Sequence, residues 1–235
     1  MGRASRRRAE RRHTPQPAAA SYSGPGTMPL DRYLIRPATQ DDDAGAVRRL
    51  LEPVEFLDDS MPEEIVDRMR TGWRMPPQFG TATLLVAEDH QTGQIAALAH
   101  AIPPVPWVMG MEAGLGRPTC LMMLRSLVEL EVVSVDDGAR GQGLGHLLVG
   151  ELVRSYTRQG YEAMLAGIHT HKPHLAPYYA ADGFTALAPG APLDLQLPHG
   201  RIRFPAEASM RHLVRPLMPR VSYRGGVLHG LLAGR

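Results

Sequence analysis

Arg140-Gly141-Gln142-Gly143-Leu144-Gly145 follows the apolar run Leu127–Val135 and opens a stretch with helical periodicity. Glycines at alternate positions leave the backbone bare and reach positive φ at low cost. The first N–H groups of a helix have no intrahelical partner and favour an anion. Strand, glycine turn and helix N-terminus together make a phosphate cradle. Arg140 adds a cation at its rim.

The competing readings of this run differ in what must follow it. A Walker loop ends in Gly-Lys-Ser/Thr, whereas His146-Leu147 stand here. A dinucleotide fingerprint needs a third glycine at His146 and an acid some way on, at the end of the next strand. Glu162 has a suitable separation but precedes that strand. A glycine turn of purely structural use stays open on these residues alone.

Working outward, Leu148, Val149, Leu152, Val153 and Tyr156 form one helical face, and Gly160 is a stop. Ala163–Ile168 is the next strand, so it should run parallel to Leu127–Val135 through a right-handed crossover. Upstream, Tyr33–Arg36 reads as a short strand. Thr39–Asp42 reads as a capping box ahead of Ala44, Val47, Leu50 and Leu51. Ser60–Glu63 is a second such box, ahead of Ile65, Val66, Met69 and Trp73. Thr83–Glu88 and Gln94–Ala101 predict an antiparallel hairpin about residues 89–93.

Residues 102–126 are rich in Pro, Gly and Met and predict an irregular loop or lid near a substrate site. His174–Ala181 predicts a short helix ended by Gly183, and Glu207–Val214 the last strand. The order is mixed α/β, with a partly antiparallel central sheet and flanking helices.

Residues 1–12 carry six arginines against Glu10, a local excess of five positive charges in a chain of net +2. The remainder is therefore mildly acidic, and the basic character belongs to a tail. Residues 1–29 are expected to be disordered, 30–218 to form one domain, and 219–235 to be a C-terminal tail. A basic tail alone does not call for a nucleic-acid partner. Lys172 is the only lysine, as in a chain from a GC-rich, bacterial genome. No run is long enough for a membrane span, and no apolar segment backs the N-terminal charges as in a secretory signal. The single Cys120 excludes an internal disulfide. These features predict a cytoplasmic protein.

The glycine run resembles the Arg/Gln-x-x-Gly-x-Gly/Ala motif of the GCN5-related N-acetyltransferase (GNAT) family. That family carries it between its fourth strand and third helix. A second signature, aromatic-Tyr-x-x-x-Gly-Phe, is matched by Tyr178-Tyr179-Ala180-Ala181-Asp182-Gly183-Phe184. The resemblance spans about Tyr33 to Val214 and implies a GNAT-like (acyl-CoA N-acyltransferase) fold. It implies acetyl-CoA as co-substrate, with its pyrophosphate on Arg140, Gly141, Gln142, Gly143, Leu144, Gly145 and His146. It further implies a pantetheine arm along Val133, Ser134 and Val135, between splayed fourth and fifth strands, and Tyr179 as general acid. Tyr178 is expected to pack. Lys172 and Leu175 depart from the asparagine and alanine common seven and four residues before the tyrosine.

Acetyl transfer to an amine needs a base, because an ammonium of pKa about 10.4 is only about one part in 10³ neutral at pH 7. Strand alternation puts Glu129 and Glu131 on one face, in the same register as Val133 and Val135. Glu131 is the first choice because it is nearer the acetyl-CoA stretch, with Glu129 beside it; a solvated strand edge or a pairing with arginine is the bland alternative. A backbone N–H near Val133 would meet the oxyanion. His169, His171 and His174 lack a neighbouring acid in sequence, so no metal is expected, and His169 is a further candidate base.

The expected acceptor is a primary amine, on a small molecule or a peptide, and a homodimer stays open. The competing class is a non-catalytic acetyl-CoA-binding module whose basic tail binds a partner.

Overall fold

The computed structural model describes residues 32–56, 59–72 and 75–233. The expected basic tail at 1–29 and Trp73 lie outside the described residues. In chain order the elements are β1 (Tyr33–Pro37), α1 (Ala44–Leu51), α2 (Met61–Arg70), β2 (Thr83–Asp89), β3 (Ile95–Ile102), α3 (Val105–Gly110), α4 (Glu112–Leu115), α5 (Arg117–Leu124) and β4 (Leu127–Val135). There follow α6 (Leu144–Arg158), β5 (Ala163–His169), α7 (Leu175–Ala181), β6 (Thr185–Ala186), β7 (Leu193–Leu197), β8 (Gly200–Phe204), β9 (Met210–Pro216), β10 (Ser222–Arg224) and β11 (Val227–His229).

The central sheet has seven strands in the order β1-β2-β3-β4-β5-β9-β6. The β2–β3 hairpin is antiparallel, and β5 runs parallel to β4, both as expected. Helix α6 lies on one face. Its buried Leu148, Val149, Leu152, Val153 and Tyr156 meet Ala97, Ala99 and Ala101 of β3, whose small side chains let the helix sit close. Helices α1 and α2 cover the other face, with Val47, Leu51, Ile65 and Met69 packed on Leu84, Val86, Leu98 and Val132. Apolar area withdrawn on both faces supplies the main drive to fold, at roughly 25 cal/mol per Å2.

The start of α1 differs in detail from the expected box. Asp43 is its N-cap and accepts the Gly45 N–H at 2.8 Å. Asp42 instead turns back to accept the Thr39 N–H at 2.6 Å.

Three larger expectations change. Residues 102–126 hold three short helices, α3 to α5, and Val108, Cys120, Met123 and Leu124 are buried with a second core. Glu207–Val214 corresponds to β9, which two more strands follow. The segment expected as a C-terminal tail carries β10 and β11, part of a second sheet ordered β10-β11-β7-β8. Val221, Leu228, Leu231 and Leu232 fill that core, apolar positions spread too irregularly for a periodicity reading to catch.

Glu162 ties this end of the chain to the central sheet. It is fully buried, with Oε1 2.6 Å from Arg220 and Oε2 accepting the Leu232 N–H at 2.7 Å. That engagement also accounts for the acid that a dinucleotide site would have used. Among the described residues no helix is long and apolar enough to cross a membrane.

Candidate active site

Strands β4 and β5 pair from Leu127–Ala163 through Leu130–Ala166 and no further. Beyond that point β4 remains paired to β3, and β5 to β9. Glu131–Val135 and Gly167–His169 therefore border a gap whose facing peptide groups have no strand-to-strand ladder. An extended ligand bearing amides matches such an edge.

A bulge in β4 decides which side chains face this gap and which do not. His100 pairs with Val132 and Ala101 with Leu130, so Glu131 is the extra residue. A bulge resets the alternation. Val133 and Val135 pack with Val128 and Leu130 on the α6 side. Glu129 and Glu131 line a cavity on the opposite side. The expected common register of the two glutamates with Val133 and Val135 is thus broken at Glu131. Ser134 points to the α1 side, where its hydroxyl donates to the Leu50 carbonyl, so only its backbone borders the gap.

The glycines divide their work. Gly141 and Gly143 have φ of 75° and 79°, which side-chain-bearing residues rarely adopt, and Gly143 caps α6 in the left-handed region. Gly145 does something else: it lies in the first turn, where a Cβ would collide with the Tyr178 hydroxyl and touch Val133. Leu144 is buried, leaving only its backbone to a ligand. Gln142 braces the turn, accepting from the Tyr33 hydroxyl at 3.2 Å and donating to the Gly138 carbonyl at 3.4 Å. Arg140 sits at the rim, 2.8 Å from Asp137 and donating to the Val135 carbonyl at 3.2 Å.

His146, in the first turn of α6, has Nδ1 2.8 Å from Asp182 and stacks on Tyr178 at 4.3 Å. This joins α6 to α7. Burial raises the Asp182 carboxyl against the lowering pull of His146. Tyr178 packs, as expected. Tyr179 lies edge-on to Tyr178 and Phe184 and packs against the main core. Burial pushes its phenol up to about 12, so it keeps its proton at neutral pH.

The two carboxylates differ. Burial, then the charge of Glu131, pushes Glu129 up to about 7. Glu131 has Oε2 2.9 Å from Nδ1 of the fully buried His100. The cavity they line has a volume of about 630 Å3, with walls from α2, β3 and α3. That puts part of the 102–126 segment at the site, as helix and not as irregular loop.

His169 and His171 find their acid at long range. Glu55 Oε2 is 3.0 Å from His171 and 3.9 Å from His169, and the three donor atoms lie within 4.8 Å of one another. Lys172 is 2.9 Å from the other Glu55 oxygen and holds that carboxyl below its usual value. The residue that departs from the family pattern thus tethers the segment after β5 to the segment after α1. Leu175 packs against the main core. The signals for His100, Asp182 and Glu55 were all long-range, and no local spacing carried them.

No protein-family model matches the sequence, and no curated protein matches it. Solved structures do. One is yncA from Salmonella typhimurium, provisionally called an acetyltransferase and solved with its cofactor acetyl-CoA: 19% identity over 82% of this chain and 98% of that one, TM-score 0.54. Another is an N-acetyltransferase from Staphylococcus aureus Mu50, with 17% identity over 79% and 99%, TM-score 0.52. A third is the GNAT-family N-acetyltransferase YhbS from Escherichia coli in complex with CoA, with 24% identity over 84% and 88%, TM-score 0.50. Split parallel strands, a glycine-turned helix and this similarity agree: the chain has the GNAT fold.

Proposed function

We propose that this chain is an N-acetyltransferase that moves the acetyl group of acetyl-CoA to a primary amine by direct attack. The observation that carries the reading is the end of the β4–β5 ladder at Leu130–Ala166, beside the N-terminus of α6. The acyl donor fits that gap: the backbone of Val133–Val135 would bind its pantetheine amides, and the N–H groups of residues 141–146, with Arg140 at the rim, its pyrophosphate.

Acceptor chemistry falls to the opposite side of β4. Of the two candidate carboxylates, we assign the proton to Glu129, because a group near 7 is poised to take it at neutral pH. Glu131, steadied by His100, draws the ammonium. Glu129 removes one ammonium proton, directly or through a water, and the freed nitrogen attacks the thioester carbonyl. A backbone N–H near Val133 faces the oxygen as it gains charge. As the carbon–sulfur bond breaks, Tyr179 donates its proton to the departing sulfur. The acylated nitrogen sheds its second proton to solvent, which then returns a proton to Tyr179 and removes one from Glu129. Asp182 and His146 keep α7, and hence Tyr179, against α6.

The test is thiol release from acetyl-CoA over a panel of amines, beside calorimetric binding of CoA. Amine-dependent thiol release supports the reading. Tight CoA binding with no turnover on any amine favours the non-catalytic module, and absence of CoA binding overturns both.

A further inference from the structure

The cavity bordered by Glu129 and Glu131 has two unlike parts. Its walls are apolar: Ile65, Phe79, Ile102, Trp107 and Met109 contribute them, with prolines of the 103–106 segment. Glu131 supplies negative charge, joined by Glu129 as that carboxyl ionises, and the Glu131 side chain is only 19% exposed. Arg68 is the one cation among the described lining residues, and Glu64 engages it at 2.9 Å one turn away. The volume, about 630 Å3, lies within the usual range of roughly 300–1,000 Å3 for small-ligand sites.

Each feature selects against a class of acceptor. A free amino acid would bring its own carboxylate toward Glu129 and Glu131, and like charges repel at short range in a low-dielectric site. A polyamine or a lysine-rich peptide would lay further charges or peptide groups along the apolar Ile65, Phe79 and Trp107; the one further carboxylate of the described lining, Glu64, is already engaged by Arg68, and buried unpaired charge is costly. An ammonium on a compact apolar body satisfies both parts. The aromatic Phe79 and Trp107 also offer ring edges and faces to a ring.

We propose that the acceptor is an arylalkylamine in chemical class: a primary amine on a ring-bearing apolar body, without a carboxylate of its own. The ammonium meets Glu129 and Glu131, and the ring lies between α2 and α3 against Phe79 and Trp107. This rests on the acetyl-transfer reading above.

The experiment compares 2-phenylethylamine, phenylalanine, spermidine and a lysine peptide, in acetyl-CoA-dependent thiol release and in calorimetric titration of the CoA-loaded protein. The expected result is a kcat/KM at least tenfold higher for 2-phenylethylamine than for the other three, with the same order in binding. Equal or better use of any other member overturns the assignment while leaving acetyl transfer intact. Preferential binding of 2-phenylethylamine without turnover upholds the cavity's class and counts against the transfer step. No preference in either measurement overturns the proposal.

Trp107→Ala should raise KM for 2-phenylethylamine at least fivefold with kcat changed less than twofold. Trp107 also packs edge-on against Phe204 at 4.1 Å, so Met109→Ala serves as a second variant with the same expected split. An unchanged KM in every variant that folds would contradict the placement of the ring.

Discussion

The Nδ1 of His100 lies 2.9 Å from Oε2 of Glu131, inside a sheet where both belong to neighbouring strands. The bulge makes the approach: with Glu131 inserted between the pairs Leu130–Ala101 and Val132–His100, its carboxylate comes to the imidazole. His100 is accordingly a positioning residue. His100→Leu should lower kcat/KM about tenfold or more, while His100→Asn, which keeps a donor near the Nδ1 position, should stay within about threefold. Steady-state kinetics on both variants, with circular dichroism to confirm folding, decides it. Equal losses would assign His100 to packing alone.

If Glu129 is the base, the acidic limb of kcat/KM should have an apparent pKa near 7. Glu129→Gln should lose about 10²-fold or more in activity and with it that limb. Glu131→Gln removes one of the two causes that raise Glu129, so its limb should move to lower pH. A limb unmoved in Glu131→Gln would separate the two carboxylates electrostatically.

The same carboxyl should appear in stability. Its folded value is raised, from 4.5 to about 7, so the folded state favours the protonated form. The sign follows from linkage: this contribution is fully present below about pH 4.5 and is lost as pH rises through 7. Ionised, Glu129 costs at most roughly 3 kcal/mol. Glu129→Gln should therefore melt about 5 °C or more above wild type at pH 8.5, and nearly level with it at pH 5. Thermal melts at both values test this; a variant less stable at pH 8.5 would contradict the raised value.

Tyr179 holds its proton to about pH 12, which suits an acid and not a base. Tyr179→Phe should lower kcat about 10²-fold while CoA affinity stays within about twofold. Calorimetry and turnover on one preparation separate these effects. A kcat near wild type would remove Tyr179 from the proton path.

Glu162 is predicted to matter for stability only. Glu162→Ala leaves Arg220 without its carboxylate and the Leu232 N–H without an acceptor. The loss should be about 3 kcal/mol, or roughly 10 °C in Tm. Turnover per folded molecule should remain within about twofold, as measured by active-site titration.

What could be read ahead of the structure was what short-range pattern carries. The α6 face from Leu148 to Tyr156, the β2–β3 hairpin and the parallel β4–β5 pair followed from periods of 3.6 and 2. The glycine turn at the start of α6 was legible, but not that Gly145 serves space for Tyr178 instead of positive φ. Which glycine does which depends on α7, more than thirty residues on. The bulge at Glu131 was invisible because a strict alternation fits Glu129–Val135 equally well on paper. The second sheet escaped because its strands are short and β11 pairs in parallel with β7, a non-local contact. His100, Asp182 and Glu55 escaped for the same reason.

The most direct test of the donor site is the electron density of the protein crystallised with acetyl-CoA. The predicted result is density for the pyrophosphate at the N–H groups of residues 141–146. The pantetheine should run along Val133–Val135 in the gap beyond Leu130–Ala166, with the thioester beside Tyr179. Coenzyme density elsewhere on the molecule, or a gap filled only by water at saturating acetyl-CoA, would contradict it.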